Sequence, residues 1–125
     1  LIYLNCYTGE ERVALDNFFR KLLNEELYTN LLAFDETLYI SKTKYRVPYD
    51  SSLSFIKKII LPYTYSIPIE ESDLSAVEEY LTKYELKPSD AIHLATMEKR
   101  GIVRIASEDE EFDRIKGISR IWLRR

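Results

Sequence analysis

Leu86-Lys87-Pro88-Ser89-Asp90-Ala91-Ile92-His93-Leu94-Ala95-Thr96 is followed, past Gly101, by Ile102-Val103-Arg104-Ile105-Ala106-Ser107-Glu108-Asp109-Glu110-Glu111-Phe112-Asp113. Pro88 and Ser89 suit the start of a helix, because a proline ring presets the backbone of the first turn. Gly101 suits its end, with Lys99 and Arg100 in the last turn. The run Ala91 to Thr96 is largely apolar and small, which predicts a helix buried against a sheet. Ile102 to Ala106 reads as a core strand, and Ser107 opens a turn with five carboxylates in six residues.

Outward from this stretch, helix and strand patterns alternate. Thr8 and Glu11 have capping-box spacing before Leu15, Phe18, Phe19 and Leu22, predicting a helix over 9–24. Leu27 to Thr29 reads as a short strand. Asn30 is placed to cap a second helix, reaching about Tyr45, with Leu31, Phe34 and Leu38 on one stripe. Val47-Pro48 interrupts, and Asp50 is placed to cap a third helix carrying Leu53, Ile56 and Ile60. Tyr65 to Ile67 reads as a strand. Leu74, Val77, Leu81 and Tyr84 mark the helix before Pro88, and Ile118 to Trp122 a final strand. Strands separated by helices predict an α/β fold with a mainly parallel central sheet. Sites in such folds form at the carboxyl ends of the strands.

The composition excludes several chemistries. Hydrophobic residues make up 46% of the 125 and charged residues 31%, which suits a single globular domain and not a disordered chain. No apolar run is long enough to cross a bilayer, so no membrane role is expected. Cys6 and His93 are each the only residue of their type, so an internal disulfide and a Cys/His zinc site are ruled out. The lone cysteine fits a cytoplasmic setting. Three glycines leave no room for a phosphate loop or dinucleotide fingerprint.

Carboxylate remains, and each candidate has a structural and a functional reading. Glu36 is either a solvated helix acid or an acid at the border of the apolar stripe, facing a cleft. Asp90 is either dipole chemistry in a first helical turn or an acid at the mouth of the sheet. Ser107 and Glu110 have capping-box spacing, which would make Asp109 and Asp113 part of a charged first turn. Yet five neighbouring carboxylates repel one another without cations, and hard ions such as Mg²⁺ accept one or two carboxylates with water and phosphate oxygens. Such ions promote phosphoryl transfer. His93 and Cys6 read as packing residues.

The segment 86–113 resembles the third acidic motif of PIN domains, especially VapC-type toxins, and the strand and acidic turn that follow it. Leu31 to Leu38, with Glu36, resembles the helix carrying the family's second acid, and Leu1 to Leu4 the apolar stretch after its first. The resemblance implies a single three-layer α/β/α PIN-like domain over 1–125. It implies a divalent-metal-dependent endoribonuclease using Mg²⁺ or Mn²⁺. Carried over residue by residue, Glu36, Asp90 and Asp109 match the catalytic, metal-binding acids, Asp113 a further metal-side acid, and Ser107 a supporting hydroxyl. It also implies an RNA substrate, a homodimer, and a small antitoxin whose Arg or Lys enters the acidic cleft. The family's first acid and first strand would precede Leu1, so native residues are expected upstream.

A net charge of −3 does not advertise nucleic-acid binding. Local clusters do better: Lys42, Lys44 and Arg46, and a tail of Arg114, Lys116, Arg120, Arg124 and Arg125, each suit phosphates or plain solvent. A non-catalytic PIN module binding RNA or a protein is the competing reading. A receiver-like phosphoacceptor domain fits poorly, since Asp50 has neither a preceding strand nor an acidic pair.

Overall fold

The computed structural model describes residues 1–123. They form two compact units, Leu1–Ile67 and Pro68 onward.

In the first unit, helix α1 (Ile2–Cys6) leads into α2 (Gly9–Leu22), strand β1 (Leu27–Thr29), α3 (Leu31–Tyr45), α4 (Tyr49–Phe55) and strand β2 (Thr64–Ser66). β1 and β2 pair in parallel, Tyr28 opposite Tyr65, and the ladder continues as the Ile67 N–H donates to the Thr29 carbonyl. The Tyr28 and Tyr65 rings meet at 5.4 Å, a cross-strand aromatic pair. Asn30 caps α3 as expected, its side chain accepting from the Ala33 N–H.

Other caps differ from the sequence reading. Thr8 sits at the cap position of α2, but its side chain makes no capping bond. Pro48, not Asp50, precedes α4, and Asp50 falls inside the first turn. Past α4 the chain widens into one π turn, Ile56–Ile60. Ile56 and Ile60 are buried in the core, while Leu53 of α4 is exposed.

A polar cluster holds the helices of this unit together. Asn5 Nδ2 donates to Ser41 Oγ at 2.9 Å and Ser52 Oγ at 2.8 Å, joining α1, α3 and α4. Both serines are fully buried. Small hydroxyl residues let helix backbones approach, and the shared donor satisfies the groups they bury.

In the second unit, α5 (Leu74–Tyr84) and α6 (Pro88–Glu98) precede strands β3 (Arg104–Ala106) and β4 (Ser119–Ile121), which again pair in parallel. Val77 of α5 packs with Ala91 and Ala95 of α6, and Leu86, Leu94, Met97, Phe112 and Ile115 form the main apolar cluster. α6 ends as expected, with Gly101 at φ +67° and the Ile102 N–H turned back to the Met97 carbonyl. β3 is less buried than its composition suggests. Only Ile105 is half-buried, while Val103, Arg104 and Ala106 are exposed, because β4 alone pairs with it among the described residues.

Among the described residues, no helix is long and apolar enough to cross a membrane.

Candidate active site

Asp90 owes its position to Pro88. The proline takes the first position of α6, so the extended Lys87 becomes the cap residue. Ser89 therefore lies inside the helix, at its second position, and makes no capping bond. Asp90 falls in the first turn, where the exposed N–H groups favour a negative charge. It is half-buried beside the fully buried Ala91. His93, one turn on, is half-buried too, and its carbonyl accepts from the Thr96 hydroxyl at 2.8 Å.

The acidic turn begins where β3 ends. The Ser107 N–H extends the ladder to the Ile121 carbonyl. Ser107 Oγ accepts from the Asp109 N–H at 3.1 Å, and Asp109 Oδ1 accepts from the Glu111 N–H at 2.9 Å. Asp109, not Ser107, is thus the cap, and it starts a 3₁₀ turn over Glu110–Arg114. The buried Phe112 ring anchors that turn to the apolar cluster.

Arg120, on β4, closes the turn from the other side. Its Nε and Nη2 donate to the two Asp113 carboxylate oxygens at 2.9 and 3.1 Å, and Nη1 donates to the Ser107 carbonyl at 3.1 Å. The bond to Asp113, with the charges of Asp113, Glu110 and Asp109, raises the Arg120 pKa above its usual value against some desolvation. Glu111 pairs with Arg114. The sequence reading placed Arg120 in a general basic tail and did not foresee this contact. Arg124 and Arg125 of that tail lie outside the described residues.

Glu36 sits on α3, whose buried stripe is Phe34, Thr37 and Ser41. It is half-buried while its neighbour Asp35 is exposed, as a border position requires. The expected stripe residue Leu31 is instead 73% exposed, because it occupies the first position of the helix. Farther along α3, Lys42 and Lys44 lie over the Tyr49 and Tyr45 rings.

Glu36 belongs to the first unit, and Asp90, Ser107, Asp109 and Asp113 to the second. Among the described residues, no three or more His, Cys, Asp or Glu side chains form a ready cage for an ion. The donor chemistry nonetheless fits Mg²⁺ or Mn²⁺. The candidates are all carboxylate oxygens, and Mg²⁺ commonly takes only one or two of these, completing its shell with water and phosphate.

Residues 2–118 match the family model for the PIN domain. Two curated proteins are similar over 56 residues at 38% identity: a VapC ribonuclease of Mycobacterium bovis and the ribonuclease VapC13 of Mycobacterium tuberculosis. The match covers 44% of this chain and 43% of each relative, so it spans less than half the length of either.

Proposed function

This chain belongs to the PIN domain family, and we propose that its protein is a metal-dependent endoribonuclease, the toxin of a toxin–antitoxin pair. The α/β class and parallel strands accord with the family's three-layer α/β/α arrangement. The relatives named as ribonucleases support the activity. The observation that carries the reading is the turn after β3, where Ser107 and the Glu111 N–H fix Asp109 beside a strand's carboxyl end.

In this reading Glu36, Asp90 and Asp109 hold Mg²⁺ or Mn²⁺, with Asp113 as a further acid on the metal side and Ser107 orienting Asp109. The ion, when bound, supplies charge stabilisation at a phosphodiester and an acidified water. The chain's own task is to keep the carboxylates ionised and aimed, and to hold the RNA by its phosphates. Lys42, Lys44 and Arg46 suit that last role, since lysine and arginine contact phosphate without reading sequence. The reading includes a homodimer, a small antitoxin that covers the acids with an Arg or Lys, and a cytoplasmic location.

The test is RNA cleavage by the full-length, antitoxin-free protein with Mg²⁺ or Mn²⁺, with chelator, and beside Asp90→Asn. The expected result is cleavage that needs the ion and is lost in the variant. Folded protein that cuts none of several RNAs would favour a non-catalytic PIN module that binds RNA or a protein, or a target narrower than the RNAs tried.

A further inference from the structure

Arg120 spans the acidic turn from end to end. One face of its guanidinium takes both oxygens of Asp113, and a third bond takes the Ser107 carbonyl. Between those ends lies Asp109, tied to Ser107 Oγ through its own N–H and to the Glu111 N–H through its carboxylate. A continuous line of hydrogen bonds therefore runs from Asp113 through Arg120 and Ser107 to Asp109. β4 supplies the anchor, since Arg120 stands opposite Ile105 in the parallel ladder. The Arg120 side chain is 17% exposed, against 49% for Arg114, which pairs with Glu111 in the same turn. An exposed pair of the second kind contributes little. In the Arg120–Asp113 pair the carboxylate is 52% exposed, so what distinguishes it is the covered guanidinium and its two-pronged geometry, which fixes direction as well as charge.

The geometry points to Arg120 as a positioning residue, which sets the Ser107–Asp113 turn so that Asp109 meets the metal ion in one orientation. This rests on the reading of Asp109 as a metal ligand. Two effects of Arg120 oppose each other. Its positive charge beside Asp109 and Glu110 repels a cation, so charge alone predicts tighter metal binding once it is removed. Its bonds hold the ligand, and loss of such supporting bonds weakens metal binding by about 10–100-fold. The sign of the change separates the two. Lysine separates them again, since it keeps the charge but lacks the planar fork that reaches three acceptors at once.

The experiment measures Mn²⁺ binding to the full-length protein without RNA, by the paramagnetic resonance of the free ion, with thermal melting of every variant. Arg120→Gln and Arg120→Lys are each expected to weaken Mn²⁺ binding by about 10-fold or more, as does Asp109→Asn. Should Arg120→Gln fail to fold, Arg120→Lys carries the same comparison. Binding that is unchanged or tighter in the folded Arg120 variants, while Asp109→Asn weakens it, overturns the positioning role and leaves Arg120 a counter-ion. Wild-type binding in Asp109→Asn overturns the metal reading of this turn, and the role of Arg120 with it.

Discussion

The buried Asp73 carboxylate accepts a hydrogen bond from the Lys99 ammonium at 3.0 Å, tying the turn before α5 to the residue just past the end of α6. The same oxygen accepts from the Glu70 N–H at 2.8 Å. The Glu70 N–H, and then Lys99, hold the Asp73 carboxyl below its ordinary pKa against the cost of burial. A depressed carboxylate stabilises the fold fully above its unfolded pKa, and that contribution fades as pH falls through the folded value. Asp73→Asn is therefore expected to lower stability by about 1–2 kcal/mol near neutrality. The gap should close on the acid side, below about pH 4. Melting curves of both proteins between pH 3 and 7 check this, and a gap that widens in acid would refute it.

Glu85 ends α5 at φ +53°, its N–H bonded to the Leu81 carbonyl. The left-handed region costs a residue with a Cβ about 1–2 kcal/mol, and glycine escapes that cost at some loss of unfolded-state entropy. Glu85→Gly is expected to stabilise the protein by about 0.5–1 kcal/mol, read from the denaturant midpoint. A fall in midpoint would mean that the Glu85 side chain contributes more than its backbone strain costs.

Local signals carried most of the fold. The strand Leu27–Thr29, the Asn30 cap, the end of α3 at Tyr45 and the Gly101 turn all follow from residues within a few positions of one another. What failed locally failed for a stated reason. Pro48 takes the cap position of α4 and leaves Asp50 inside its first turn. Leu31 and Leu74 open their helices, where a side chain points back past the helix end instead of onto the core. The Arg120–Asp113 pair was not legible, because strand β4 brings it together and no periodicity marks it. In the candidate site, pattern left Glu36 open between a solvated and a border position, and it marked an acidic turn after β3 but put the cap at Ser107 where the structure has Asp109. Their membership of one metal site rests on the family resemblance.

Tyr80 lies half-buried in the apolar cluster of the second unit. Burial first, then its hydrogen bond to Glu98, push the phenol up to about 12. A folded pKa raised above the unfolded one gives stability that is present below about pH 10 and is lost as pH rises through the folded value. The wild type is thus expected to lose stability more steeply between about pH 10 and 12 than Tyr80→Phe does. Ultraviolet titration of tyrosinate, with melting at each pH, checks it. Equal slopes for the two proteins would count against the assignment.

Asn5 is the donor shared by the buried Ser41 and Ser52 hydroxyls. Asn5→Ala takes this donor from the fully buried Ser52 hydroxyl and leaves Ser41 with the Cys6 thiol at 3.2 Å, at a cost of about 1–3 kcal/mol. Adding Ser41→Ala and Ser52→Ala to it removes the hydroxyls themselves. The triple variant is expected to recover part of the loss in chemical denaturation. A loss that simply grows with each substitution would show that packing volume, not the hydrogen bonds, governs this cluster.

Ser107 offers a graded test of the acidic turn, since its hydroxyl holds the Asp109 N–H while its carbonyl is held by Arg120. Ser107→Ala deletes the first bond and keeps the second. Supporting bonds of this kind are worth about 10-fold or more to a metal site. RNA cleavage is expected to fall by about that factor, with a higher Mn²⁺ concentration needed for half-maximal rate. Ser107→Thr keeps the acceptor and should restore most of both. His93→Gln, by contrast, should keep most of the activity, because His93 is assigned to packing. A Thr variant as poor as Ala would mean that the room around Ser107, and not its hydroxyl, sets the orientation of Asp109. Complete loss in His93→Gln would move the imidazole into the chemistry.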